Sequence, residues 1–262
     1  MIQLHTRLLP FITALFYSFS ANAICAENGL RIFPSGATIK QNSIFVIDGY
    51  AQSQKVILGL NKAYPVYLKS GKQKIKLIIT QINLGQFRLT QAVLKPEKEL
   101  EAGLEYTMYI DHLPEYESFN KYNKSTNKYE PVVYKVVAER DTEKPQLASN
   151  PIEINKTLVF YGCGPSIHVV FSNPAKDNSE IIVQTTVKDL KTGMKTTYYI
   201  QPDGDKIKIG HEMCSGAFDF EEDSQNFEVA FEFMDASGNF TPWTREPIKF
   251  TKPTVQTSDE EE

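Results

Sequence analysis

The sequence predicts an all-β fold: two tandem β-sandwich domains behind a cleaved export leader. Three observations carry that reading. Apolar residues alternate with polar ones or run in short blocks bounded by turn residues, and no long stretch keeps a helical period. Phe and Tyr number 16 and 13 among 262 residues, a usage that favours strands. About seven short strands fall in each half, with turns roughly every 8–12 residues, which is the spacing of a sandwich. Hydrophobic content of 41% and charged content of 23% are globular values, which excludes wholesale disorder, collagen and coiled coil. A net charge of −4 is too mild for a nucleic-acid binder.

Residues 1–23 read as the leader. His5 and Arg7 precede the apolar stretch Leu8 to Phe19, and Ala21-Asn22-Ala23 supplies an A-x-A exit. That stretch is about 12 residues, against roughly 20 needed to span a bilayer. No second run of spanning length follows. The mature chain is therefore expected to be exported, without a membrane span, to the periplasm, the cell surface or the medium. Cleavage after Ala26 fits as well as cleavage after Ala23, and it would remove Cys25. Ile24 before Cys25 argues against lipid attachment.

In the first half, strands are expected near 38–47, 55–60, 64–69, 74–81, 86–95, 105–113 and 131–139. Lys72, Lys74 and Lys76 alternate with Ile75, Leu77 and Ile79, so they form the wet face of one strand. In the second half, strands are expected near 156–161, 166–171, 180–190, 195–201, 205–209, 227–234 and 246–251. Turn chemistry separates them at Ser70-Gly71, Thr192-Gly193, Asp203-Gly204 and Ser237-Gly238-Asn239. The halves differ in charge. Residues 24–140 hold 16 Lys+Arg against 11 Asp+Glu, whereas residues 141–262 hold 11 against 21. Four of those acids, Asp259 to Glu262, close a tail at 254–262 that is expected to be disordered.

Four short patterns sharpen the fold. Leu100-Glu-Ala-Gly103-Leu-Glu-Tyr106 resembles the tyrosine corner of fibronectin type III and bacterial Ig-like modules, with Ala102 where proline is usual. Asp141-Thr142-Glu-Lys-Pro145 is similar to the D-T-x-x-P opening found at junctions of tandem bacterial Ig-like modules. Asp235-Ala-Ser-Gly238-Asn239 is similar to their closing D-x-x-G-N turn, and Pro34-Ser-Gly36-Ala-Thr-Ile39, followed by Asn42, resembles their opening strand. The chain thus resembles tandem Ig-like modules of an exported protein. The resemblance implies one Ig-like sandwich over 24–140, a second over 141–253, and an extracellular role. It transfers no catalytic residue. In it, Tyr106, Gly103, Asp235, Gly238 and Asn239 are structural.

Cys163 and Cys214 fall in one half of an exported chain, so a disulfide between them is expected, closing a loop of about 50 residues. The chain-entropy model assigns such a loop roughly 4 kcal/mol. The competing chemistry is metal ligation by Cys163, His211, Met213 and Cys214 with His168 nearby, tetrahedral for zinc or soft for Cu(I). Acidic residues crowd two loops, Asp219 with Glu221, Glu222 and Asp223, and Asp203 with Asp205. Neither has EF-hand spacing, and both read as solvated. Nucleophile elbow, P-loop, H-E-x-x-H and full dinucleotide fingerprint are all missing from the sequence. The reading is a chain that is not an enzyme and carries no cofactor.

Residues 114–131 form the F–G loop in an Ig-like frame, a position from which such folds bind partners. The loop carries Tyr116, Phe119, Tyr122 and Tyr129 among Asn, Ser and Lys, the composition of adaptable recognition surfaces. At roughly 17 residues it is either functional or disordered. The expected function is binding or structural, at the cell envelope or outside the cell, with an unknown protein or glycan as partner. Two alternatives are an accessory carbohydrate- or protein-binding component of a surface complex and an extracellular metal-binding protein.

Overall fold

The structure, a computed structural model, describes residue 25 and residues 28–123, 125–138, 140–220 and 223–254. The leader at 1–23, and the tail from residue 255 onward, lie outside the described residues. The first half contains β1 (Asn28–Phe33), β2 (Thr38–Ile39), β3 (Phe45–Ala51), α1 (Gln54–Gly59), β4 (Val66–Ser70) and β5 (Gln73–Leu84). It continues with β6 (Leu89–Pro96), β7 (Glu105–Ile110), β8 (Asn120–Asn123), β9 (Lys128–Pro131) and β10 (Val133–Val136). Eight of these strands form one sheet in the order β1-β3-β6-β5-β4-β7-β10-β2. The sheet curls because β5 serves both of its sides: residues 73–76 pair with β4, and residues 77–84 pair with β6. A register shift between Ile79 and Gln81 marks the bulge in the second of these ladders.

Alternation along β5 places Ile75 and Leu77 inside and leaves Lys74 and Lys76 outside. They join Phe45, Ile47, Leu68, Leu94, Tyr106 and Tyr134 in a core the curled sheet encloses. Two sequence expectations change here. The strand expected over 38–47 is cut by a turn at residues 41–42, so β2 and β3 are separate elements. The strand expected over 55–60 is the short helix α1. Val56, Ile57 and Leu60 are buried while Leu58 is 53% exposed, a helical spacing hidden in a five-residue apolar run, Val56 to Leu60, too short to show its period.

The second half contains β11 (Gln146–Leu147), β12 (Glu153–Tyr161), β13 (Gly164–Ser172), β14 (Ala175–Lys176), β15 (Ile181–Asp189) and β16 (Lys195–Ile200). It ends with β17 (Lys206–His211), β18 (Asn226–Asp235), β19 (Phe240–Thr241) and β20 (Ile248–Thr251). A three-stranded sheet β12-β13-β17 packs on a second sheet, β16-β15-β18-β19, in which β20 also pairs with β18. Val169, Phe171, Ile207 and Ile209 from the first meet Val183, Phe227, Phe231 and Phe233 from the second. Phe171 sets its edge on Phe231 with ring centres 5.3 Å apart, a preferred aromatic geometry. The arrangement is sandwich-like.

A third buried cluster joins the halves. Phe33, Ile44, Val46 and Val93 pack against Ile182, Tyr199, Met234 and Ala236. At about 1.5–3 kcal/mol for each large apolar side chain buried, this contact holds the halves as one body. Polar groups inside it are matched. The buried Gln91 amide donates to the Tyr199 carbonyl at 2.9 Å and accepts the Tyr199 N–H at 3.2 Å, so one side chain extends the backbone bonding of β16. The Asp48 carboxylate, beside it, accepts the Tyr198 hydroxyl at 2.7 Å and the Gln91 amide at 2.8 Å. Backbone pairing continues nearby, where Phe87 and Gly216 exchange N–H···O bonds of 3.1 and 2.8 Å.

Candidate functional site

The stretch expected as an F–G loop is structured. After β7 the chain is anchored on the start of the first half, where Asn28 donates its side-chain amide to the Tyr116 carbonyl at 2.6 Å. Ser53 donates to the Glu117 carboxylate and itself accepts the Gly29 N–H at 2.8 Å. Phe119 turns inward against the first-half core, so it is not a contact residue of the exposed face. Beyond it, β8 and β9 form a separate two-stranded hairpin.

Within that hairpin Tyr122 lies directly opposite Tyr129, and their rings sit 5.3 Å apart. Tyr129 is 73% exposed, and Tyr116 and Tyr122 are 44% exposed each. Isolated hairpins are marginal in water, so side-chain bonds matter here. Glu130 accepts the Thr126 hydroxyl and the Asn123 amide at 2.5 and 2.7 Å, and those bonds hold its carboxyl below the usual range. Asn123 also accepts the Ser125 N–H at 2.9 Å, and Tyr122 donates its hydroxyl to Asn127. Beside the hairpin, a groove of about 640 Å³ runs between Lys121, Tyr122 and Glu130 on one wall and Gly36 and Ala37 on the other. The arrangement offers a paired aromatic surface for stacking, with hydrogen-bonding groups at its rim.

The structural residues read from the motifs hold two turns. Tyr106 is fully buried, and its hydroxyl accepts the Glu101 N–H at 3.3 Å while donating to Gln73 at 2.9 Å. Gly103 takes φ +82 in that turn and donates its N–H to the Val136 carbonyl at 2.8 Å. At the other turn, Asp235 accepts the N–H groups of Ser237 and Asn239 at 2.8 and 2.9 Å and the Asn239 amide at 2.8 Å. Gly238, at φ +84, closes the turn onto the Asp235 carbonyl. Burial, reinforced by Asp141, pushes the Asp235 carboxyl up from the ordinary range.

The Asp235 turn lies at the junction between the halves. Asn42 and Asp141 exchange hydrogen bonds of 2.7 and 3.0 Å, and the Asn239 amide reaches the Asp141 carbonyl at 3.2 Å. Asp141, Asp177 and Asp235 place carboxylate oxygens within 4.8 Å of one another. Alongside, Glu180 accepts the Ser35 N–H and hydroxyl at 2.9 and 2.8 Å and the Gly36 N–H at 2.5 Å. Asp177 and Glu180 were not legible in the sequence: their partners lie far away in the chain, and no local pattern marks them.

The expected Cys163–Cys214 bond is replaced. The disulfide joins Cys25 to Cys214, with Cα atoms 5.5 Å apart, and Cys163 is not part of it. The physical reason is placement: the residue just ahead of β1 reaches the turn that follows β17, so the bond ties the two halves together instead of closing a loop within the second. Of the expected metal set, Cys163 and Cys214 come together beside Cys25, with sulfurs within 4.8 Å of one another, while the histidines take other partners. His211 points Nδ1 at the Glu212 carbonyl (2.9 Å) and Nε2 at Asp219 (3.5 Å), with its ring edge-on to Phe87. Met213 brings its backbone carbonyl to 3.8 Å from the Cys25 sulfur. His168 lies 3.7 Å from Glu212, and burial lowers its pKa. Of the acidic loops, Asp203 pairs with Lys208 at 2.8 Å, which lowers its pKa. Asp205 lends its carbonyl to Asn173, and Lys191 faces Asp223 at 3.5 Å. Glu221 and Glu222 lie outside the described residues.

No family model matches the chain, and no curated protein matches it. Among solved structures, the pullulanase of Anoxybacillus sp. LM18-11 complexed with maltotriose is similar at 12% identity and a TM-score of 0.25, over 76% of this chain and 24% of that one. The type I pullulanase of Bacillus subtilis str. 168 complexed with maltose is similar at 10% identity and a TM-score of 0.26, over 87% of this chain and 25% of that one. The chain spans about a quarter of the length of either. Likeness at that level carries no argument about fold or activity. Among the described residues, no helix is long and apolar enough to cross a membrane.

Proposed function

We propose that this is an exported, non-catalytic binding protein of two tandem Ig-like modules, which engages a protein or glycan at the cell surface through the 120–131 hairpin. One observation carries the reading. Tyr122 and Tyr129 face each other on a hairpin paired with no other strand among the described residues, and both rings reach solvent beside a groove. Tyrosine supplies a large amphipathic contact at low entropic cost, and hydroxyl and lysine groups at the rim add direction. Export is supported by the leader pattern and by a disulfide, a bond that persists in oxidising compartments.

The test is a glycan array and a panel of envelope proteins, probed with the wild type and with a Tyr122→Ala/Tyr129→Ala double variant. The expected result is at least one retained ligand whose binding falls by about tenfold or more in the variant, as for loss of an aromatic anchor. Thermal stability should stay near that of the wild type. Undiminished binding by the variant, or no ligand for the wild type, would overturn the proposal.

A further inference from the structure

Two hairpin tips and one isolated residue bring three sulfurs together. Tyr161 pairs with Gly164, which makes Gly162-Cys163 the two-residue tip between β12 and β13. The Glu212 N–H donates to the Ser215 carbonyl at 3.0 Å, which makes Met213-Cys214 the tip of the turn after β17. Because β13 runs antiparallel to β17, both tips stand at the same end of one sheet. Cys25 arrives there from ahead of β1. The sulfurs of Cys25, Cys163 and Cys214 all lie within 4.8 Å of one another, and all three residues are half-buried, not sealed in the core.

We propose that this cluster is a thiol–disulfide exchange site in which Cys214 is shared between two partners. A thiolate attacks a neighbouring disulfide sulfur directly, and proximity of the attacking group governs the step. Here the Cys163 thiol releases its proton to solvent and the thiolate attacks Sγ of Cys214. The bond from Cys214 to Cys25 breaks as the bond from Cys214 to Cys163 forms. The electron pair leaves on Cys25, which takes up a proton. No oxidant or reductant is consumed. A disulfide needs its sulfurs about 2 Å apart, so the tips close by no more than roughly 3 Å. Exchange turns a bond between the halves into a bond within the second half and releases the segment ahead of β1.

The experiment is linkage mapping on the full chain carrying all three cysteines. Oxidised protein is held at pH 8 without reductant, quenched in acid, labelled with a maleimide at low pH, digested with pepsin and read by mass spectrometry. Two linkages are expected, Cys25–Cys214 and Cys163–Cys214, with label on Cys163 in the first and on Cys25 in the second. The ratio should not change with protein concentration. A Cys25→Ser protein should hold Cys163–Cys214, and a Cys163→Ser protein should hold only Cys25–Cys214. Wild-type protein with the Cys25–Cys214 linkage alone, with label confined to Cys163, overturns the proposal. So does a second linkage that appears only between molecules, or one joining Cys25 to Cys163 in place of Cys163–Cys214. The wild-type mapping decides the matter even where a variant fails to fold.

Discussion

Strand β1 is fastened to the second half at both ends, by different chemistry. Just before it, Cys25 is bonded to Cys214. Just after it, Ser35 and Gly36 hand three donors to the Glu180 carboxylate, and Asn42 and Asp141 continue the contact. Nine residues, six of them in the strand, separate the two fastenings. The covalent one acts mainly by restricting the unfolded chain, whereas the hydrogen-bonded one acts through bonds made only in the folded state. They should therefore fail under different insults: reductant at one end, removal of the Glu180 carboxylate at the other.

Cys214→Ser tests the covalent end and should show the largest effect. The bonded cysteines are 189 residues apart, and the chain-entropy model gives such a loop about 5 kcal/mol. Urea unfolding under non-reducing conditions measures the loss. A change below about 1 kcal/mol would mean that packing, not the cross-link, holds that end. Glu180→Ala tests the hydrogen-bonded end. Three donors lose a charged acceptor, and a loss of about 2–3 kcal/mol is expected, the same in reduced and oxidised protein. The two substitutions share no partner and should add within about 0.5 kcal/mol in the double variant. Strong non-additivity would show that the ends act as one.

The smallest effect lies between the halves, at Asp48. Burial pushes its carboxyl up to about 6, above the 3.8 of an unburied aspartate. Its contribution to stability is therefore complete below pH 3.8 and is lost as pH rises through 6. Asp48→Asn keeps an oxygen for Tyr198 and Gln91 and removes the charge. It should stabilise the protein by about 1 kcal/mol at pH 8 and not at pH 4, by chemical denaturation at the two pH values. The opposite trend would mean that attraction to Arg31, not burial, governs the group.

What the sequence made legible follows the distance between partners. Tyr106 meets Glu101 five residues away, and Asp235 meets Ser237 and Asn239 two and four residues away, so short motifs contain both bonds. All-β character was legible for a similar reason, because alternation is a property of neighbours. The Cys25–Cys214 bond, the Glu180 clasp and the Gln91–Tyr199 pairing join residues more than a hundred positions apart, and no local pattern encodes them. The position of the tyrosine loop was legible, but not its division into an inward Phe119 and an outward Tyr122–Tyr129 pair. That division depends on where β8 and β9 stand off the main sheet.

The disulfide also decides how this protein carries tension. Pull at Cys25 and on the chain beyond residue 214, and the load crosses from sulfur to sulfur. The first half and the Tyr122–Tyr129 hairpin hang to one side, unstretched. Residues 26–213, roughly 680 Å of chain when fully extended, are held in reserve by one covalent bond.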